Sequence, residues 1–362
     1  MQLELRSIQE YLERRSGGPI QIEEVRPLGG EDTGAAVLKQ FAYGRPLLVR
    51  YRAKDQRIQV VFHHIRRNAF GREREDDRAA AVWLDYNTFN RLPRHVPALD
   101  MVIRTKEGEV QSISSAQEIL LVTAYRPGRP YAGDLLRIRD EGTIHPLDIK
   151  RAEVLAAYLA EIHQAKCGEK MLWQRRLRDL VGHGEGIMGL TDSYREGGPF
   201  NEAELRAIEE TANRWRWQLK PLSHRLSQVH GDFHPFNVLF EDELTFHLLD
   251  RSRGEWGEPA DDVSCMTINY LFFSLQRSGC LEGSFHELHD RFWEHYLSLR
   301  PDAELPAVIQ PWFAWRALVL ASPTWYPTLP EEVRRKLLTF TRRVLAINRY
   351  DYHEVNQYLA DD

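Results

Sequence analysis

Residues 230 to 237 read HGDFHPFN, placing two histidines, an aspartate and an asparagine within eight positions. Side chains of these types bind metals, move protons or cap turns. His230, Asp232 and His234 alternate as H-x-D-x-H, a spacing that could chelate Zn²⁺ or Mn²⁺ in a metallohydrolase. That reading leaves unused Asn237, five positions after Asp232, and Asp250, at the end of a second apolar run. Taken together, the set puts two carboxylates and an amide on loops flanking a short hairpin. His234 then reads as a turn residue before Pro235.

The elements that must carry these residues change character along the chain. LELRSIQEYLERR has apolar residues at Leu5, Ile8 and Leu12 and predicts a short amphipathic helix ended by Gly17 and Gly18. IQIEEVRPLGG, GAAVLKQFAYG, PLLVRYRA and RIQVVFHHI are β-rich runs whose simplest connections are hairpins, which predicts an antiparallel sheet. EREDDRAAAVWLDYNTFNRL reads as a helix with an acidic start suited to its dipole. Two further β-like runs follow, ALDMVIRTK and EILLVTAYRPG. Beyond YRPGRPY the texture turns helical. DIKRAEVLAAYLAEIHQAK is the clearest case, with Asp148 as its expected N-cap, followed by EAELRAIEETANRWRWQLK, FHELHDRFWEHYLSL, WFAWRALVL and EEVRRKLLTFTRRVLAI. QVHGD, NVLF and FHLLD are short strand candidates around the central motif.

Bulk properties narrow the function classes. The 362 residues are 43% hydrophobic and 28% charged, a globular composition with a formal net charge of only −5. Without a long basic run, no nucleic-acid partner is expected. Cys167, Cys265 and Cys280 lie far apart and the start is charged, which predicts a cytoplasmic protein without a signal peptide or disulfide framework. Apolar runs are too short to cross a membrane, which takes about 20 residues.

The ordered set HGDxxxxN, then Asp250 at a strand end, then GEWGEPADDV with Gly257, Pro259 and Asp262, resembles the aminoglycoside phosphotransferase and choline kinase family, relatives of the protein kinases. YLAEIH upstream is also typical of it. The resemblance implies an α+β, protein-kinase-like two-lobe fold: a small lobe with an antiparallel β-sheet plus helix over 1–123, a hinge over 124–130, and a larger, mainly α-helical C-terminal lobe over 131–362. It further implies an ATP- or GTP-dependent transfer of the γ-phosphoryl group to a hydroxyl of a small molecule. Asp232 would orient that hydroxyl and accept its proton, late in the step because a carboxylate is a weak base toward an alcohol. Asn237 and Asp250 would hold Mg²⁺, His230 would scaffold the loop, and Asp262 would hold it by hydrogen bonds.

For the nucleotide, the resemblance points to Gly29, Gly30 and Gly34 in LGGEDTGAAVL as a phosphate-covering loop, although a hairpin turn needs the same glycines. Thr123, Ala124 and Tyr125 would meet the adenine edge. The family's third-strand lysine is missing here: His63 stands before the acidic helix and Arg50 lies on PLLVRYRA, with Glu73, Glu75, Asp76 or Asp77 as the pairing acid. That gap leaves a catalytically inactive nucleotide-binding protein as an alternative.

The acceptor pocket would come from an insert at about 166–225 and from the C-terminal helices, leaving aminoglycosides, sugars and amino alcohols open. Glu185, Asp192, Glu202 and Glu204 in that insert read equally as attractors of a polycation or as a solvated helix face. Arg251 and Arg253 read either as phosphate or acidic-substrate contacts or as partners of Glu255 or Glu258. Trp312, Phe313, Trp315, Trp325 and Tyr326 read mainly as helical core.

Overall fold

The computed structural model describes residues 4–28, 46–194, 198, 200–251 and 253–360. Gly29, Gly30 and Gly34, and the run GAAVLKQFAYG, lie outside the described residues. The chain divides into two compact units, Met1–Thr123 and Ala124–Asp362.

In the first unit, α1 (Leu5–Ser16) places Ile8, Tyr11 and Leu12 in a small core. It ends where predicted: Gly17 takes φ +66°, and the Gly18 N–H closes on the Glu13 carbonyl at 3.2 Å. Strands β1 (Ile20–Pro27), β2 (Leu47–Ala53) and β3 (Gln56–Phe62) form an antiparallel sheet in sequence order. Val49 and Tyr51 point from its centre toward α1. α2 (Glu75–Phe89) follows, with three acidic residues in its first turn. Among the described residues β4 (Val102–Arg104) and β5 (Val110–Ser112) pair only with each other. The strand expected over EILLVTAYRPG does not form. Ile119, Leu120, Leu121 and Val122 are between 73% and 90% exposed, in a stretch without regular structure. A short apolar run specifies burial but not a partner strand, and none pairs with it among the described residues.

The second unit is built from α3 (Tyr131–Glu141), α4 (Pro146–Ile162), α5 (Lys170–Gly182), α6 (Ile187–Ser193) and α7 (Glu202–Leu219). After the HGDFHPFN segment come α8 (Pro259–Ser278), α9 (Gly283–Leu299), α10 (Leu305–Val308), α11 (Gln310–Ala321) and α12 (Glu331–Ala346). Its strands are short: β6 (Arg129–Pro130) joins the β8 (Val238–Phe240)–β9 (Phe246–Leu248) hairpin, and β7 (Ser227–Gln228) pairs with β10 (Trp256–Gly257). α4 starts earlier than expected. Pro146 opens it, and Asp148 sits one turn in, where its carboxylate accepts the His145 N–H at 2.7 Å and an Arg137 N–H at 2.6 Å. Proline suits a first helical position because no N–H partner is lost there.

α8 has no counterpart among the predicted helices. Every residue from Pro259 to Leu275 is buried, so the helix shows no apolar stripe to betray its period. The core surrounds it, and Trp312, Phe313 and Trp315 belong to that core as expected. Trp325, by contrast, is 61% exposed. Among the described residues no helix is long and apolar enough to cross a membrane.

Candidate active site

The site of the second unit is organised by two adjacent, fully buried carboxylates in the first turn of α8, where the helix dipole favours negative charge. Asp262 accepts the backbone N–H groups of His230 and Gly231, each at 2.7 Å, one on each oxygen. It also meets His163 Nε2 at 3.2 Å, and His163 Nδ1 lies 2.8 Å from the Tyr296 hydroxyl. Burial pushes the His163 imidazole below its ordinary range, so it is neutral, accepting from Tyr296 and donating to Asp262. Burial acts against the charge of Asp262 as well, but the bonds from His163 and the loop N–H groups hold its carboxyl below the usual range.

Asp261 faces the other way. It takes Arg176 of α5, and Arg316 of α11 at 2.5 Å. Arg316 also donates to the Gly231 carbonyl at 2.8 Å and to Asp232 Oδ1 at 2.6 Å. Arg253 reaches the same Asp232 oxygen at 2.9 Å. Burial alone would raise the Asp232 carboxyl, yet the two guanidinium groups hold it down at about 2. Gly231 permits this packing: its φ is +86°, and a Cβ there would press on Arg176 and Arg253 at 3.3 and 3.4 Å.

The hairpin sets the remaining donors. Asn237 gives its side-chain N–H to the Asp232 carbonyl at 3.1 Å, which turns its amide oxygen away from that bond. The β8–β9 register pairs Val238 with Leu248, and the Leu249 N–H bonds the Asn237 carbonyl at 2.9 Å. Asp250 therefore falls one residue past the partner of Asn237. It is exposed and takes φ +52°, a left-handed conformation that aspartate tolerates better than most residues. An amide oxygen and an exposed carboxylate held by one register are hard donors of the kind Mg²⁺ takes alongside phosphate oxygens and water.

The chelate reading of H-x-D-x-H does not fit this geometry. His230 Nδ1 accepts the Asp232 N–H and His234 Nδ1 accepts the Phe236 N–H, both at 3.2 Å, while Asp232 is engaged by arginines. Among the described residues no group of three or more His, Cys, Asp or Glu side chains is arranged to hold a metal ion.

Sequence reasoning misses several residues that shape the site: Asp261, Arg176, Arg316 and His163. Arg176 and Arg316 lie far from the motif in sequence, and nothing local marks them. Asp261 stands in the motif itself, and its double acidic signature is the available clue. Arg251 donates to the Glu255 backbone carbonyl at 3.4 Å, and Arg253 is ion-paired with Asp232 and Glu185. Arg251 donates to the Val229 carbonyl at 2.8 Å, and Glu258 pairs with Arg225. In the insert, Glu185 pairs with Arg253 at 3.3 Å, Glu202 with Arg206 at 2.8 Å and Glu204 with Arg342 at 3.3 Å.

In the first unit, Arg50 faces Glu24 across the β1–β2 pair and forms an ion pair with it. His63 is exposed just past the end of β3. Of its proposed acidic partners, Glu73 is buried, Glu75 and Asp76 are exposed, and Asp77 accepts the Arg74 N–H at 2.8 Å. Thr123, Ala124 and Tyr125 are exposed in the irregular stretch where the two units meet in sequence.

A family model described as the phosphotransferase enzyme family matches residues 111–301, more than half of the chain, and includes the whole HGDFHPFN to GEPADD stretch. The chain belongs to this family. Its smaller unit carries an antiparallel sheet and its larger unit is mainly helical, an α+β division like the one the resemblance implies. No curated protein matches significantly. Among solved structures it is similar to a glucosamine kinase in complex with glucosamine, ADP and inorganic phosphate (18% identity, TM-score 0.39), over 59% of this chain and 59% of that one. It is also similar to the choline kinase LicA from Streptococcus pneumoniae (12%, 0.35), over 94% of this chain and 98% of that chain. The amicoumacin kinase hAmiN in complex with AMP-PNP, Ca²⁺ and Ami is a third (13%, 0.43), over 92% of each chain.

Proposed function

We propose that this chain transfers the γ-phosphoryl group of ATP to a hydroxyl of a small molecule, in the cytoplasm, with Mg²⁺ held by Asn237 and Asp250. The observation that carries the reading is the loop from His230 to Asp232, locked by Asp262 while the β8–β9 register sets Asn237 beside Asp250. Phosphoryl transfer asks a protein for positioning and charge neutralisation more than for covalent chemistry, and this arrangement provides a fixed carboxylate and a separate pair of metal donors. The bound ion would neutralise charge on the phosphate oxygens. Asp232 would orient the acceptor hydroxyl and take its proton late, as a carboxylate held near 2 must.

One observation favours a second reading, in which nucleotide binds without turnover. Neither β2 nor β3 carries a lysine, and Arg50 is occupied by Glu24. The test is phosphoryl transfer from γ-labelled ATP to a panel of sugars, amino alcohols and aminoglycosides, by the wild type and by Asp232→Asn. Transfer in the wild type that falls about 10²- to 10⁴-fold in the variant supports the reaction. Equal transfer by both proteins would overturn the role of Asp232, and nucleotide binding without any transfer would favour the second reading.

A further inference from the structure

The reaction proposed above leaves open which oxygen of Asp232 meets the acceptor, and the arginines around it answer that. Oδ1 accepts Arg316 Nη1 at 2.6 Å and is ion-paired with Arg253, whose Nη1 lies 2.9 Å away and donates to the Gly231 carbonyl at 3.3 Å. Oδ2 has only His234 Nε2 nearby, at 3.7 Å, beyond hydrogen-bond reach. Oδ1 thus already holds one guanidinium N–H and has a second guanidinium pressed against it, whereas Oδ2 holds no hydrogen bond among the described residues, so a hydroxyl arriving at Asp232 is directed to Oδ2.

Arg316 is itself held from several sides. Asp261 takes its Nε at 3.2 Å and its Nη2 at 2.5 Å, and the Gly231 carbonyl takes Nη2 at 2.8 Å. The guanidinium carbon stacks 4.0 Å from the centre of the Trp315 ring, and the residue is 5% exposed. The side chain therefore joins α11 to the first turn of α8 and to the catalytic loop through one rigid planar fork, a geometry that a lysine cannot reproduce. Arg253, in contrast, shares its charge with the half-exposed Glu185 of the insert.

We propose that Arg316 is a positioning residue that pins Oδ1 of Asp232 and so reserves Oδ2 for the acceptor hydroxyl. In the step, the acceptor O–H breaks toward Oδ2, the acceptor oxygen bonds the γ-phosphorus, and the bond from that phosphorus to the departing ADP oxygen breaks. This inference rests on the proposed reaction, but its first test does not need turnover.

That test is ¹³C NMR of the full chain labelled at aspartate carboxyls, with the Asp232 signal identified by its loss in Asp232→Asn. The charged and titratable groups around Asp232 are Arg316 on α11, Arg253 on the loop before β10, His230 and His234 of the catalytic loop, Asp261 and Cys265 on α8, and Tyr326 after α11. The wild-type signal should not titrate between pH 3 and 7. In Arg316→Gln its midpoint should rise, with proton affinity increasing about tenfold. Arg316→Lys keeps a charge opposite Asp261, and hence the fold, yet should still show a measurable rise because the fork is lost. A midpoint unmoved in both variants overturns the inference.

Where an acceptor is turned over, the second readout is kinetic. Arg316→Lys should lower kcat about 100-fold, as expected for a small misplacement of a reacting group, with KM for Mg·ATP unchanged and the acid limb of the pH profile moved upward. Loss confined to KM would count against positioning. A chain that transfers no phosphoryl group at all sinks the reaction, whereas the NMR midpoints decide independently whether Arg316 holds Asp232.

Discussion

Asp232 and Asp250 are two carboxylates of one short segment in opposite circumstances. Asp232 is largely buried, with one oxygen engaged by two arginines and its loop bolted to Asp262. Asp250 is exposed, in a left-handed backbone conformation, with no ion pair among the described residues. The difference follows from the tasks proposed for them. A group that orients a hydroxyl must hold still before the acceptor arrives, whereas a metal donor gains its partner on binding. The first is held by protein contacts as it stands, and the second, if it is a metal donor as proposed, would gain its partner only on binding.

The hardest blow to the fixed half is Asp262→Ala. It removes a buried carboxylate that satisfies two backbone N–H groups and the His163 imidazole, leaving all three without an acceptor. Breaking a buried ionic or charge-assisted contact in this way costs about 3 to 5 kcal/mol. Urea unfolding should show that loss, with a smaller one for Asp262→Asn, which keeps an acceptor oxygen. Equal stability of wild type and alanine variant would mean that the loop is held by something other than Asp262.

Asp250→Ala probes the open half. The apo protein should lose only about 1 kcal/mol, the cost of placing alanine at φ +52°, because the side chain makes no ion pair to lose. Binding is where the variant should differ. With ATP and Mg²⁺ at about 100 times the dissociation constant, the wild type should gain roughly 2.7 kcal/mol, and the variant should lose most of that gain. Thermal unfolding with each ligand alone and with both separates the outcomes. If ATP and Mg²⁺ together stabilise both proteins equally, Asp250 is not a metal donor.

The same contrast explains what is legible in the sequence. HGDFHPFN and GEPADD can be read because residues that act together there are neighbours in the chain. α1 and α12 can be read because each buries one face. α8 cannot, since it is buried on all sides, and neither can Arg176 and Arg316, whose partnership with Asp261 spans 85 and 55 residues. EILLV reads as a strand and forms none, because hydrophobicity is local while pairing is not. The H-x-D-x-H chelate fails for a similar reason: side-chain direction is set by the turn, and this turn spends both imidazoles on backbone N–H groups.

A milder perturbation of the fixed half is pH. His163 and His289 are both buried with pKa values lowered, first by burial, against the opposing pull of Asp262 and Asp290 respectively. For such a group the unfolded chain binds the proton more readily than the folded one. Its contribution is complete above the unfolded value of about 6.5 and declines as pH falls below it. Each histidine should cost up to about 1.4 kcal/mol per pH unit in that window. Urea unfolding at pH 7, 6 and 5 measures the slope. A flat profile would mean that His163 is protonated in place and forms an ion pair with Asp262, which would make the catalytic loop a charged clamp instead of a neutral relay.

The smallest effect is expected at the rim of the Asp232 clamp. Glu185 pairs with Arg253 at 3.3 Å, but its side chain is 56% exposed, and pairs that solvated contribute between 0 and about 1 kcal/mol. The turn that carries Glu185 has an independent tie, since the Trp315 indole N–H donates to the Glu185 carbonyl at 2.7 Å. Glu185→Gln leaves that bond untouched and leaves Arg253 on Asp232. Unfolding stability should therefore move by no more than about 0.5 kcal/mol. A loss several times larger would show that the insert is part of the clamp itself, and the line between a fixed carboxylate and an adjustable acceptor side would have to be drawn beyond Glu185 instead of at Arg253.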